Sequence, residues 1–157
     1  MSTASPDTTK VDIKTIQNAR ERLQPVITVT RGLQIGKTVI LEANRITIGR
    51  DVNSDVSLID SGISRHHAGI ERRGEDIVIL DLESTNSVRI NGDLIEEAFL
   101  KAGDKIQLGP DTIIKYRIED PDEVRIRVEQ YERSIRDDLT QIHNRRHFTV
   151  TLARELA

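Results

Sequence analysis

The chain has 157 residues, Lys+Arg 23 against Asp+Glu 26, a formal net charge of −3 and no cysteine. A length of this order buries a proper core without staples, and the lack of thiols excludes a disulfide framework and thiolate chemistry. Mixed-sign charge argues against a polycation for nucleic acid, and no apolar run approaches the roughly 20 residues that cross a bilayer.

The opening "MSTASPDTTK" has neither the basic start nor the apolar centre of a signal peptide. A cytoplasmic protein, with no nucleic-acid or membrane partner, is the expectation. These first residues offer almost nothing to bury, which predicts a flexible tail over 1–24. Within it "VDIKTIQNARERLQ" is weakly amphipathic through Val11, Ile13, Ile16 and Leu23, and Pro25 ends whatever it forms.

From residue 25 to about 118 the pattern becomes a series of short β-rich runs: "VITVT", "KTVIL", "RITIGR", "DVSL", "AGIERR", "DIVILDL", "VRI", "KIQLG" and "TIIKYRI". Between them stand turn-forming stretches such as "RGLQIG", "GED", "ESTNS", "NGD" and "KAGD". Short strands with no helix between them predict an all-β antiparallel sandwich or barrel with an Ile, Val and Leu core.

After "EDPDE" the period changes. Val124, Val128, Tyr131, Ile135, Leu139 and Ile142 recur at helical spacing between charged residues. A narrow seam on a polar helix fits a coiled coil that joins a homodimer, the arrangement expected here, or a helix packed on its own domain. The run reaches "TLARELA" with no glycine or proline stop, as if cut mid-pattern.

The pair His66-His67, just behind Ser64-Arg65, poses a question of chemistry. Neighbouring residues of a strand face opposite ways, which keeps the two rings from sharing a metal, and no carboxylate is spaced to complete a ligand set. Nor does an orienting acid or a glycine-rich oxyanion loop accompany Ser64 and His67, so neither a metal nor a catalytic residue is expected. A surface that holds an anion is the third reading, and the rest of the sequence bears on it.

Four landmarks fall in order: "IGR" at 48–50, "SRHHA" at 64–68, "DLESTNS" at 81–87 and "ING" at 90–92. In that order they resemble the forkhead-associated (FHA) family, β-sandwiches whose apical loops bind phosphothreonine peptides. The resemblance covers residues 25–118 and implies an FHA-like antiparallel β-sandwich. It assigns phosphopeptide contacts to Arg50, Ser64, Arg65, Thr85 and Asn86, and support of the site to Gly49, His67, Asn91 and Gly92.

The chemistry agrees: a phosphate dianion needs a guanidinium fork and hydroxyl or amide donors around its oxygens. Asn86 offers both a donor and an acceptor for the peptide backbone. The resemblance gives His67 the bracing of the loops and leaves His66 as a solvent-facing neighbour. Where the family usually has Ser-x-Asn-Gly-Thr, this chain has Ser84-Thr85-Asn86-Ser87-Val88. Serine at a position glycine normally fills implies an altered turn.

"RDDLTQIHNRRHF" at 136–148 is similar to the opening of the GGDEF diguanylate cyclase domain, with Asp137, Leu139, Thr140, Asn144, Arg145, Arg146 and Phe148 coinciding. The expected organisation is a tail at 1–24, an FHA domain at 25–118, a signalling helix at 119–136 and the start of a GGDEF domain at 137–157. The GGDEF catalytic loop lies in none of these residues, so this chain is expected to have no enzyme activity and no cofactor of its own. GTP and magnesium are expected for the parent cyclase, in which two catalytic domains face one another.

The expected ligand is a phosphothreonine peptide from a partner protein or from the tail itself, made by a Ser/Thr kinase. Thr3, Thr8, Thr9 and Thr15 are the acceptors on offer. The alternative is a scaffold that docks a partner without phosphate.

Overall fold

The computed structural model describes residues 13–18 and 22–137. Among the described residues eleven strands follow one another: β1 (Gln24–Arg31), β2 (Thr38–Ile40), β3 (Arg45–Gly49), β4 (Val56–Ser57), β5 (Ala68–Arg73), β6 (Asp76–Asp81), β7 (Val88–Ile90), β8 (Asp93–Ile95), β9 (Glu97–Phe99), β10 (Lys105–Leu108) and β11 (Thr112–Glu119). They form two sheets, ordered β2-β1-β11-β10-β7-β8 and β4-β3-β5-β6-β9. All pairings are antiparallel except β3 with β4. The fold is the predicted sandwich.

Alternation explains the layering. In β11, Ile114 and Tyr116 are buried while their neighbours Ile113 and Lys115 are only partly so. These inward residues meet Ile27, Val29, Ile48, Ile70, Ile79, Val88, Ile106 and Leu108 in one aliphatic core. The sequence pattern misses β8 and β9, for a clear reason: each has three residues, and Leu94 and Phe99 are each 61% exposed. Pairing with β7 and β6 holds them, with Ile95 and Ala98 partly buried against the core.

Strand direction fixes two poles. β1 begins at Gln24 opposite Glu119, and ends at Arg31 opposite Ile113, beside the β10–β11 turn. That turn packs on the β4–β5 loop: a Cβ placed on Gly62 would lie 2.5 Å from Pro110 Cδ. The β3–β4, β4–β5 and β6–β7 connections share this apical pole, while the N-terminal segment enters at the other.

A helix spans 121–137. Asp120 caps it, its Oδ1 accepting from the Asp122 amide at 2.8 Å, and Pro121 sits at the first helical position, where a missing N–H costs nothing. Arg127 bonds Glu119, and Arg22 bonds Asp122, which holds the entering chain beside the helix start.

The helix lies on the outer face of β1 and β2. Val26 points away from the core that holds Ile27 and Val29, yet it is fully buried, as is Val124. Val128, Tyr131 and Ile135 are half-buried, and a Cβ at Gly36 would lie 3.3 Å from the Tyr131 ring. Burial pushes the Tyr131 phenol above its ordinary pKa. In the single chain the seam is therefore seated on its own domain, the second arrangement its pattern admits. This cover also blunts β2, an edge strand.

Residues 13–18 are helical and exposed, and Thr15 stands among them. Thr3, Thr8, Thr9 and residues 138–157, which hold most of the GGDEF-like run, lie outside the described residues. Among the described residues no helix is long and apolar enough to cross a membrane.

Candidate functional site

Three loops meet at the apical pole, and backbone bonds zip two of them together. The Arg50 amide donates to the Ser64 carbonyl at 3.0 Å and the Asp51 amide to the Arg65 carbonyl at 3.2 Å. Ser54 Oγ adds a third link to the Arg65 carbonyl at 3.3 Å. Gly49 makes this approach possible, because a Cβ there would stand 1.9 Å from that same oxygen. The Arg50 side chain is exposed, and its Nε donates to the Ile63 carbonyl at 3.1 Å. That bond orients the guanidinium and leaves its two terminal nitrogens for a ligand.

The β6–β7 loop closes the ring. The Thr85 amide donates to Ser64 Oγ at 3.0 Å, so that hydroxyl accepts from the protein and keeps its proton for a ligand oxygen. Asn86 Nδ2 donates to the Gly62 carbonyl at 2.8 Å, which leaves its Oδ1 to receive a peptide amide. Asp81 Oδ1 accepts from both the Ser84 amide, at 2.9 Å, and the Ser84 hydroxyl, at 2.6 Å, fixing where the loop starts. The spacing Asp81-x-x-Ser84 is a local side-chain turn that could have been read from the sequence.

His67 braces this arrangement from below. Fully buried, it accepts the Ser64 amide at Nδ1 (3.0 Å) and meets the Ser87 carbonyl through Nε2 (2.7 Å), so the neutral ring carries its proton on Nε2. One side chain thus ties the β4–β5 loop to the β6–β7 loop. His66 faces solvent, with Nε2 3.9 Å from an Asp51 carboxylate oxygen. Replacing His67 by Phe fills the site with a slightly larger ring and strands the Ser64 amide and the Ser87 carbonyl. We expect a loss of about 2–6 kcal/mol in urea unfolding, from two groups at roughly 1–3 kcal/mol each.

Ser87 has a φ of 64°, the left-handed region that glycine occupies freely. The loop therefore keeps a glycine-like conformation without the glycine. Ser87→Gly is expected to stabilise the domain by about 0.5–1 kcal/mol, since relief of roughly 1–2 kcal/mol of left-handed strain is partly offset by the freer unfolded chain. Thermal unfolding would register the change as a higher midpoint.

Arg50, Ser64, Thr85 and Asn86 converge, with Gly49 and His67 beneath them. Arg65 is exposed beside them, its carbonyl used in the zip. Asn91 and Gly92 do not join the group, contrary to expectation. They have φ of 51° and 93° and form the two-residue turn between β7 and β8, at the end of β7 away from Ser87. Asn91 there bonds Asp104 and the Lys105 amide, both at 3.0 Å, supporting a hairpin rather than the apical loops. Beside Asn86 lies a cleft of about 170 Å³ lined by Arg89, Gln107, Gly109 and Pro110, which the sequence reading did not single out. Among the described residues no group of three or more His, Cys, Asp or Glu is placed to hold a metal.

The chain resembles known proteins over this domain. It is 32% identical over 84 residues to the oxoglutarate dehydrogenase inhibitor of Corynebacterium jeikeium (strain K411), covering 54% of this chain and 58% of that protein. It is 31% identical over 84 residues to the glycogen accumulation regulator GarA of Mycolicibacterium smegmatis (strain ATCC 700084 / mc(2)155), covering 54% and 53%. It thus spans little more than half the length of these curated relatives.

A solved structure from a structural and functional analysis of phosphothreonine-dependent FHA domain interactions superposes with a TM-score of 0.55 at 32% identity, covering 60% of this chain and 95% of that one. The family model described as "Inner membrane component of T3SS, cytoplasmic domain" (Yop-YscD) matches residues 28–118. The chain belongs to that family, and its β-sandwich is an FHA domain.

Proposed function

We propose that this chain is the phosphothreonine-reading regulatory portion of a diguanylate cyclase, a cytoplasmic protein that makes cyclic di-GMP. The observation that carries the binding function is the convergence of Arg50, Ser64, Thr85 and Asn86 from three loops pinned by His67. A phosphate dianion set against Arg50 receives charge-assisted bonds, with the Ser64 hydroxyl completing its shell. The output rests on the GGDEF-like run at 136–148; the parent cyclase would supply GTP and magnesium chemistry outside the FHA domain.

Two sources of the phosphothreonine fit: a partner protein, and the tail after a Ser/Thr kinase has acted. Chain length discriminates among the tail threonines. The tail joins the domain at Gln24, and eight-residue β1 separates that point from the apical pole by roughly 25 Å. With 13–18 helical, the fifteen residues from Thr9 to Gln24 still reach about 40 Å, ample for capture within one chain. Thr15, nine residues away on the helical stretch 13–18, reaches about 25 Å at most unless that stretch unwinds, which leaves no slack over the span itself. Thr3, Thr8 and Thr9 are thus favoured over Thr15, and tethering raises their effective concentration to roughly millimolar.

Calorimetry with tail peptides phosphorylated at Thr8 or Thr9, and with their unphosphorylated forms, tests self-capture. The phosphorylated forms should bind and the others should not. A phosphothreonine peptide library panned on the domain tests the partner route, and silence in both experiments would end the phosphothreonine reading.

A further inference from the structure

The seam of helix 121–137 has two competing uses. Val124 is fully buried, and Val128, Tyr131 and Ile135 are half-buried, with the helix against β1 and β2. A two-stranded coil with a second copy would bury the same positions. One face cannot do both.

The seat of the helix also touches the binding loops through a single turn. The Tyr131 hydroxyl stands 3.5 Å from the Gln34 carbonyl, and the Tyr131 ring lies over Gly36, both in the β1–β2 turn. From that turn Gln34 Oε1 accepts the Ile59 amide at 2.7 Å, and Lys37 Nζ donates to the Ser57 carbonyl at 2.7 Å. Ser57 and Ile59 begin the segment that delivers Ser64 to the apical pole. The helix, the turn and the phosphate loop form one contiguous path.

We propose that helix 121–137 is a latch: seated on β1 and β2, it withholds its seam from a second copy of this chain, and the β1–β2 turn gears that seat to the β4–β5 loop. A change in that loop then biases the helix between its seated and paired states. Identification of the trigger as a phosphothreonine rests on the function proposed above; the latch does not, and its test uses no phosphopeptide.

Glu42 and Arg125 lie on opposite walls of the cleft between β2 and the helix, and both are exposed. The chain has no cysteine, so Glu42→Cys with Arg125→Cys introduces a unique pair for a short bismaleimide. Sedimentation of the whole 157-residue chain should show self-association of the unbridged protein as concentration rises, and a monomer over the same range once bridged. Ile40→Glu disturbs the seat without altering the seam. It should move self-association to lower concentration and reduce hydrogen-exchange protection of the Ile59 amide.

Equal association of bridged and unbridged protein, or monomers in both, overturns the latch. Unchanged Ile59 exchange in folded Ile40→Glu protein that associates more readily overturns the gearing. Should Ile40→Glu fail to fold, Tyr131→Phe replaces it: it removes only the hydroxyl contact to Gln34, and unchanged Ile59 exchange there counts against the gearing in the same way.

Discussion

Gly49→Ala should destabilise the protein by about 3–5 kcal/mol and abolish the apical site, although it adds one methyl group. The new Cβ would stand 1.9 Å from the Arg65 carbonyl oxygen, 2.6 Å from its carbon and 3.1 Å from His66 Cα. All three are backbone atoms, so no rotamer change clears the way. The β4–β5 segment must leave β3, breaking the bonds from the Arg50 and Asp51 amides. The magnitude combines overpacking at roughly 1–3 kcal/mol with hydrogen bonds at about 0.5–1.5 kcal/mol each.

Gly69 provides the control on the neighbouring strand. A Cβ there would meet the Leu82 methyl groups at 3.6 and 3.8 Å and the Ile46 carbonyl oxygen at 3.9 Å, all ordinary van der Waals contacts. Gly69→Ala should stay within about 1 kcal/mol of the parent. Urea unfolding of both variants measures the contrast, and a Gly49→Ala protein as stable as Gly69→Ala would mean that the two loops do not meet as described.

The same contact shows how far the sequence could be read. β-rich runs broken by turn residues carry the sandwich because alternation is written in strands with one face in the core, such as β11, and short apolar runs mark those covered on both, such as β6. β8 and β9 escape because each has three residues and their largest apolar side chains, Leu94 and Phe99, stand in solvent, leaving Ile95 and Ala98 partly buried against the core. Within the site, Gly49 and His67 were legible as members of ordered motifs, and their physical tasks follow from coordinates: one lets two backbones touch and the other joins two loops.

Asn91-Gly92 misled because proximity in a motif is not proximity in space. A short strand carries that turn away from the apical loops. Ser54 and the Gly62–Pro110 contact were invisible, since each depends on loops meeting across the chain. For the helix, periodicity identified the buried face but could not name its partner. A seam of valines and a tyrosine fits a sheet as readily as another helix, and the choice depends on what lies within reach.

Arg50 should prove the site's affinity determinant while contributing little to stability. Its guanidinium is exposed and, among the described residues, makes one bond, from Nε to the Ile63 carbonyl, so Arg50→Ala should unfold within about 1 kcal/mol of the parent. Phosphopeptide binding should fall by about a hundredfold or more, because charge-assisted bonds at roughly 1.5–3 kcal/mol are lost and 1.4 kcal/mol is a factor of ten.

Arg50→Lys separates charge from geometry. A lysine keeps the positive charge but has neither the fork nor the Nε bond that aims it. If the site works by directed bidentate bonding, Lys should bind nearly as poorly as Ala. If the apical pole merely attracts anions, Lys should restore most of the affinity, and raised salt should weaken both proteins alike. Docking of an unphosphorylated partner would ignore both substitutions, so the series also separates a phosphate reader from a scaffold. Fluorescence anisotropy of a labelled phosphothreonine peptide, read beside its unphosphorylated twin, distinguishes the three cases.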